Sequence, residues 1–404
     1  MNESPIGAES KAQMSSRVEK PVPARRPAWI VAFGPVGAGS DGYLVRVETN
    51  ARALASLGFQ VNVLELSSRA ERTAPWPSVE TYPALPSIVR EQKVLGPIDW
   101  VANLRGQLAL VVGLVRNWRS LRSSPVIVIE GGLLASTFVL TLLNRRRSSQ
   151  VFVFDLITLM SSLHRDRGPT CSVSCKLRRA IWRGLELVCV RSADVSIAGS
   201  QEDVSRLRTS RAMIVPHIVL VDGMEGESRE DGNLIGFLGN GHVVPNREAL
   251  DFIASNVLNH PSLKSVRCRV IGDREGYDQQ ANQRIEFVGF HKNPSSCLST
   301  VSVCCAPMQG AGGVSTKVLS YLLSGKRTVS TPEAAHGIGL PPNGLWVAER
   351  DKFPETVAAA LTFPWSPARA ASLRNWMESH HGLPALAGAW DKLLRSMRHV
   401  PDNG

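Results

Sequence analysis

The sequence predicts an α/β protein of two Rossmann-like domains that face each other across a cleft. Three observations predict it. Short β-branched runs alternate with helical periodicity over residues 29–220, an acidic stretch without periodicity interrupts them at 221–232, and the same alternation restarts at 233. With 404 residues, 43% hydrophobic and 20% charged, the chain has material for two ordinary domains.

Residues 1–28 are rich in Ser, Glu, Lys and Pro and contain no apolar run, so they read as a disordered leader and not as a signal peptide. A strand follows at 29–33. The turn GPVGAGSDG then brings Gly37, Gly39 and Ser40 towards the cleft, where their amides could meet a phosphate or an acceptor; an ordinary tight turn is the alternative. A helix over 43–57 ending at Gly58 and a strand over 60–66 complete a βαβ unit. Residues 126–143 carry a single charge, Glu130, and run into three arginines, so their length approaches a membrane span. Gly131 and Gly132 break the run, and a buried strand followed by a helix fits better. VFVFD ends at Asp155, where a strand should open into the cleft, making Asp155 a candidate to orient an acceptor or a sugar hydroxyl; a helix N-cap is the alternative. His164 and His217 lie near candidate cleft edges, but a lone histidine is more often a structural hydrogen-bonding residue.

Residues 221–232, with five acids, one base and three glycines, read as an interdomain linker. Beyond them, strands are expected at 234–238, 268–271, 285–288, 301–306 and 327–331, with a last one near 346. The most informative stretch is 308–338, MQGAGGVSTKVLSYLLSGKRTVSTPEAAHGI. Gly310, Gly312 and Gly313 permit close approach of backbone to a ligand, and the helix they open through Val314 and Ser315 offers unpaired N–H groups to an anion. Lys317 follows within the first turn, sharing a face with Ser320 and Ser324, while Val318, Leu319, Leu322 and Leu323 form the core stripe. Gly325 caps the helix. Gly241, in the turn after strand 234–238, is a second source of amides, and Glu333 and His336 lie in the loop after strand 327–331. Residues 233–365 thus form the second unit, and residues 366–404 follow it with Trp376 and Trp390 in helical context.

Two segments carry a family resemblance. Residues 310–331 resemble the donor-site segment of glycosyltransferase family 4, where a glycine-rich loop, a lysine and a "GKPVVST"-like strand recur, and NLIGFLGNGHVVPNREAL resembles the opening of that family's second domain. The resemblance implies a GT-B fold in which residues 233–365 bind the donor and residues 366–404 cross back to the first domain; a nucleotide-sugar donor whose diphosphate meets Lys317 and whose sugar is bordered by the loop of Glu333 and His336; and transfer to a hydroxyl acceptor with retention. Two departures matter. Ser320 and Gly312 stand where the family usually has glutamates, and a hydroxyl is a weaker partner than a carboxylate for a ribose diol. They keep open a degenerate binding subunit, while a nucleotide-sugar epimerase on the same scaffold is the rival enzyme.

Of the formal net charge of +11, all resides in the first half: residues 1–221 hold 28 Lys and Arg against 17 Asp and Glu, while residues 222–404 balance at 18 each. An anionic partner is implied for that half. A membrane surface or lipid phosphate fits better than nucleic acid, since no nucleic-acid-binding signature accompanies the charge. The basic helix at 176–190, with Lys176, Arg178, Arg179 and Arg183, and the repeat Arg116, Arg119, Arg122 are the expected contact strips. Seven cysteines without CxxC spacing point to a reducing cytosol, with the inner membrane face as a peripheral site; Cys171 and Cys175 lack the further ligands a metal needs. No Asp-x-Asp occurs, so no metal or other cofactor is expected.

Overall fold

A computed structural model describes residues 26–32, 42–65, 79–83, 110–130, 150–156, 173–207, 209–219, 230–277, 283–291, 294–309 and 313–398. Gly37, Gly39, Ser40, His164, Gly310 and Gly312 lie outside the described residues, as does the run 131–149.

The first domain comprises β1 (Arg26–Ala32), α1 (Gly42–Ser56), β2 (Phe59–Glu65), β3 (Val79–Pro83), α2 (Trp118–Ser123), β4 (Val126–Glu130), β5 (Val151–Leu156), α3 (Val173–Ser192), β6 (Val195–Ala198), α4 (Gln201–Leu207) and β7 (Ala212–Ile214). Its strands form one parallel sheet in the order β3-β2-β1-β4-β5-β6-β7. The strands are fully apolar runs such as VIVI and VFVF because both faces are covered. On one face α1 packs with Ile30, Val63 and Val128; on the other, residues 110–123 and α3 pack with Trp29, Ile127 and Phe152.

The second domain runs through β8 (Asp231–Leu238), α5 (Val244–Phe252), β9 (Arg267–Ile271), β10 (Ile285–Phe287), α6 (Ser295–Leu298), β11 (Val301–Ala306), α7 (Thr316–Leu323), β12 (Arg327–Ser330), β13 (Leu345–Val347) and α8 (Phe353–Thr362). Its sheet is again parallel, in the order β10-β9-β8-β11-β12-β13. The strand order reverses between β8 and β11. Open parallel sheets bind ligands in the crevice beyond that point, at the carboxyl ends of the strands.

Two terminal helices follow, α9 (Pro367–His381) and α10 (Leu383–Arg398). Helix α9 packs on α7, whereas α10 returns to the first domain, burying Leu386, Trp390 and Leu393 in the core beside α1. Trp390 Nε1 donates to Asn50 Oδ1 on α1 at 2.9 Å, fixing the register of that crossing.

Candidate functional site

The site is built where β8 and β11 end. After β8 the chain turns through Gly239, Asn240, Gly241 and His242 into α5, and Gly239 lets it close on Asn246, whose side chain would stand 2.8 Å from a Cβ there. After β11 the chain passes Met308 and re-emerges at Gly313, whose φ of 76° favours glycine, and then enters α7 through Ser315. The Ser315 side chain, at the N-cap of α7, makes no capping bond to the first amides of that helix. Tyr321, fully buried on α7, accepts the Leu238 N–H at 2.6 Å and ties the two strand ends together.

Lys317 lies within this frame, on the first turn of α7. Its Nζ donates to Asn246 Oδ1 at 2.5 Å and stands 5.2 Å above the Phe237 ring centroid. Although the residue as a whole is partly exposed, its ammonium is enclosed by protein, and that burial pushes its pKa down from 10.5 to about 8. Among the described residues no carboxylate lies within ion-pair distance of it. A desolvated cation without an anion, beside a helix amino terminus, is a site for an exogenous anion.

The structure treats the other sequence candidates differently. Gly313, Val314 and Ser315 lead into α7 just ahead of Lys317, and the Val314 side chain packs towards Gly199 and Gly337. The Gly241 N–H donates to Asp273 O at 2.8 Å, and a Cβ there would meet Arg274 O at 2.9 Å, so this amide is engaged within the protein. Ser320 Oγ donates to Thr316 O at 2.8 Å, back along its own helix. Glu333 is exposed on the turn after β12. His336 crosses to the first domain, with Nε2 2.8 Å from Ser200 Oγ and Nδ1 2.9 Å from Glu202 Oε2. Those distances resemble a nucleophile–base relay, but Ser200 caps α4: it accepts the Asp203 N–H and donates to the Asp203 carboxylate at 2.7 Å. His217 is buried against His381, whose Nδ1 is 3.1 Å from the His217 carbonyl.

Asp155 requires a correction. Instead of opening into a cleft it is buried at 2% exposure, paired with Arg46 Nε at 2.9 Å and with Asn50 Nδ2 at 2.7 Å. Asn50 also donates to Glu130, and Arg46 donates to Pro216 O. These long-range partners lie up to 170 positions apart, so no local pattern in the sequence signals them. Asp155 thus anchors α1 onto β5. As for metals, no group of three His, Cys, Asp or Glu residues among the described residues is placed to hold an ion.

The fold is GT-B, two α/β domains with the second domain's loops facing the first. The sucrose-phosphate synthase of Thermosynechococcus elongatus aligns with a TM-score of 0.71 at 12% identity, covering 93% of this chain and 99% of that one. The catalytic domain of starch synthase IV from Arabidopsis thaliana, bound to ADP and acarbose, gives 0.64 at 10% identity over 93% and 100%. Alr3699/HepE from Anabaena, in complex with UDP and glucose, gives 0.60 at 12% identity over 92% and 100%. At such identities the likeness is one of fold. Residues 232–363 match the family of group 1 glycosyl transferases. That group 1 match spans β8 to α8 and so includes Asn246, Lys317 and Ser320. No curated protein sequence matches the chain.

A pH dependence follows from the state of Lys317. Below about pH 8 the ammonium is charged and attracts an anion; as pH rises through that value the free protein loses the proton and the attraction. Binding of a nucleoside diphosphate should therefore weaken as pH rises above about 8 and be accompanied by proton uptake near that pH. Titration calorimetry in buffers of different ionisation enthalpy reads both effects, and pH-independent affinity between 7 and 9.5 would contradict them.

Proposed function

We propose that the chain is a glycosyltransferase that moves a sugar from a nucleoside-diphosphate donor, held on the second domain, to a hydroxyl acceptor presented by the first. The observation that carries this is Lys317, a buried ammonium at the switch point of the second sheet with a neutral amide and an aromatic face as its surroundings. Glycosyl transfer requires that the charge developing on the departing diphosphate be stabilised and the acceptor be oriented. Lys317 and the first amides of α7 supply the former. Retention of configuration is supported by the family resemblance of residues 310–331, and metal independence by the lack of an Asp-x-Asp sequence. Such an activity belongs to the assembly of glycans or glycosylated natural products. The test is release of nucleoside diphosphate from a panel of nucleotide sugars, with and without EDTA. Release that survives EDTA is expected; release abolished by EDTA and restored by Mg²⁺ would contradict metal independence. Binding without turnover would favour the second reading, a binding subunit, which Ser320 supports because its hydroxyl is already engaged within its own helix.

The acceptor side of this reading is an anionic surface. Residues 110–123 and α3 cover the same face of the first sheet. They expose Val112, Val115, Ile181, Leu187 and Val188, together with Arg116, Arg119, Arg122, Arg183 and Arg191. In α3 the acid of this stretch, Glu186, is turned inward, and residues 110–123 contain none. Apolar side chains among arginines suit a bilayer interface, where each basic residue contributes roughly 1 kcal/mol. No described helix is long and apolar enough to cross a membrane, so the contact proposed is peripheral, on the cytoplasmic face. The protein should co-sediment with anionic liposomes at low salt and detach as salt rises, with Arg116, Arg119 and Arg183 changed to Glu weakening the contact. Indifference of the wild type to anionic liposomes would point to a soluble acceptor.

A further inference from the structure

We infer that Asn246 is the positioning residue of Lys317, and that its neutral amide leaves the ammonium's charge available to the donor diphosphate. The inference rests on the reading of Lys317 as the group that meets that diphosphate.

Asn246 stands in the first turn of α5, immediately after Pro245, and is 6% exposed. Its two amide atoms have different work. Oδ1 accepts from Lys317 Nζ at 2.5 Å, and Nδ2 donates to Asn240 O at 3.0 Å. A carbonyl on one side and an ammonium on the other admit only this orientation of the amide. Asn240 is fixed in turn, because its Oδ1 accepts the Asp273 N–H at 2.9 Å. A relay therefore runs from the loop after β9, through the turn after β8, to the lysine on α7. None of its links is local to Lys317: Asn246 is 71 positions away in the chain.

A lysine side chain has many rotamers in solution, and much of that freedom is lost if it must be ordered by the ligand. Here the ordering precedes the ligand. A carboxylate at 246 would hold the ammonium as well, but it would also neutralise it in a site poor in water, where a charge pair is strong. The amide holds without neutralising. With Asn in place of an acid, the enclosed ammonium has no counter-ion among the described residues and still attracts phosphate.

The experiment compares wild type, Asn246→Asp, Asn246→Ala, Lys317→Ala and the double variant Asn246→Ala/Lys317→Ala. Binding of whichever of UDP, ADP, GDP and dTDP is held tightest is followed by calorimetry from pH 6.5 to 9.5. Asn246→Asp should weaken binding at pH 7 by tenfold or more and move the alkaline limit of binding upwards from about 8, since a carboxylate favours the ammonium. A side chain that merely filled space would not move that limit. Asn246→Ala should weaken binding several-fold in the wild-type background and have no further effect when Lys317 is already alanine, because Asn246 acts through the lysine. Unchanged affinity and pH limit in Asn246→Asp would overturn the inference; should that variant not fold, an equal loss from Asn246→Ala in both backgrounds would overturn it. If Lys317→Ala itself binds nucleotide like the wild type, the donor-site reading has failed, and that outcome is visible separately from the others.

Discussion

Lys317→Ala should fold as the wild type does and lose roughly 10- to 150-fold in kcat/KM. The magnitude follows from the contact removed, a charge-assisted hydrogen bond to phosphate contributing about 1.5–3 kcal/mol, where each ~1.4 kcal/mol is a factor of ten. The fold should survive because burial lowers the pKa of this ammonium, so its protonation costs stability at neutral pH and offsets its contacts with Asn246 and Phe237. That cost is present below about pH 8 and fades as pH rises towards 10.5, the lysine's ordinary value. Loss of activity with unchanged or raised stability would separate a functional cation from a structural one. Loss of both together would mean that Lys317 holds the domain rather than the donor.

The largest effect on stability is expected at Arg46. Its guanidinium and the Asp155 carboxylate are enclosed almost completely, with side-chain exposures of 1% and 0%, and Asn50 adds a further bond to the carboxylate. Arg46→Ala leaves Asp155 charged and buried, which destabilises a protein by about 3–5 kcal/mol. The neighbouring Glu130 adds a pH dependence. Burial, and then the charge of Asp155, push its pKa up from 4.5 to about 8, so at neutrality it holds its proton and Arg46 faces one negative charge instead of two. Because the folded pKa is raised, the stability tied to this proton is present below about 4.5 and is lost as pH rises through about 8. Urea unfolding of wild type and Arg46→Ala at pH 6 reads the first effect, and a difference under about 1 kcal/mol would show that the pair is not what anchors α1. Since α10 docks on α1 through Asn50, loss of this anchor should also loosen the return of the terminal helix.

Much of the second domain was legible in the sequence because its signals are local. VSVCCA reads as a buried strand and folds as β11 at the same residues; the α7 stripe Val318, Leu319, Leu322 has helical spacing and is buried as expected. Lys317 could be found from its place after a glycine loop. Asn246 could not be assigned its role, since the sequence shows it only as part of a helix opening, and nothing local links it to a residue 71 positions on. Asp155 was misplaced for the same reason: a carboxylate ending a strand looks available until Arg46, 109 positions earlier, is seen to occupy it. For Gly241 the sequence does not show the Asp273 carbonyl that takes its amide. Strand β3, with Glu80 and Pro83 in a five-residue edge position, has too little hydrophobic pattern to announce itself. Helix α5 gives way to a π-helical turn at Ile253–Val257, which no periodicity foretells.

The central claim, that the crevice beside Lys317 receives a nucleoside diphosphate, is tested most directly by thermal unfolding with a panel of nucleotide sugars and free nucleoside diphosphates. A ligand at a hundredfold excess over its Kd stabilises the native state by about 2.7 kcal/mol, a rise in Tm of several degrees. At least one member of the panel should produce that rise in the wild type and lose most of it in Lys317→Ala. A panel that leaves the wild type unmoved, or a rise equal in both proteins, would contradict the account.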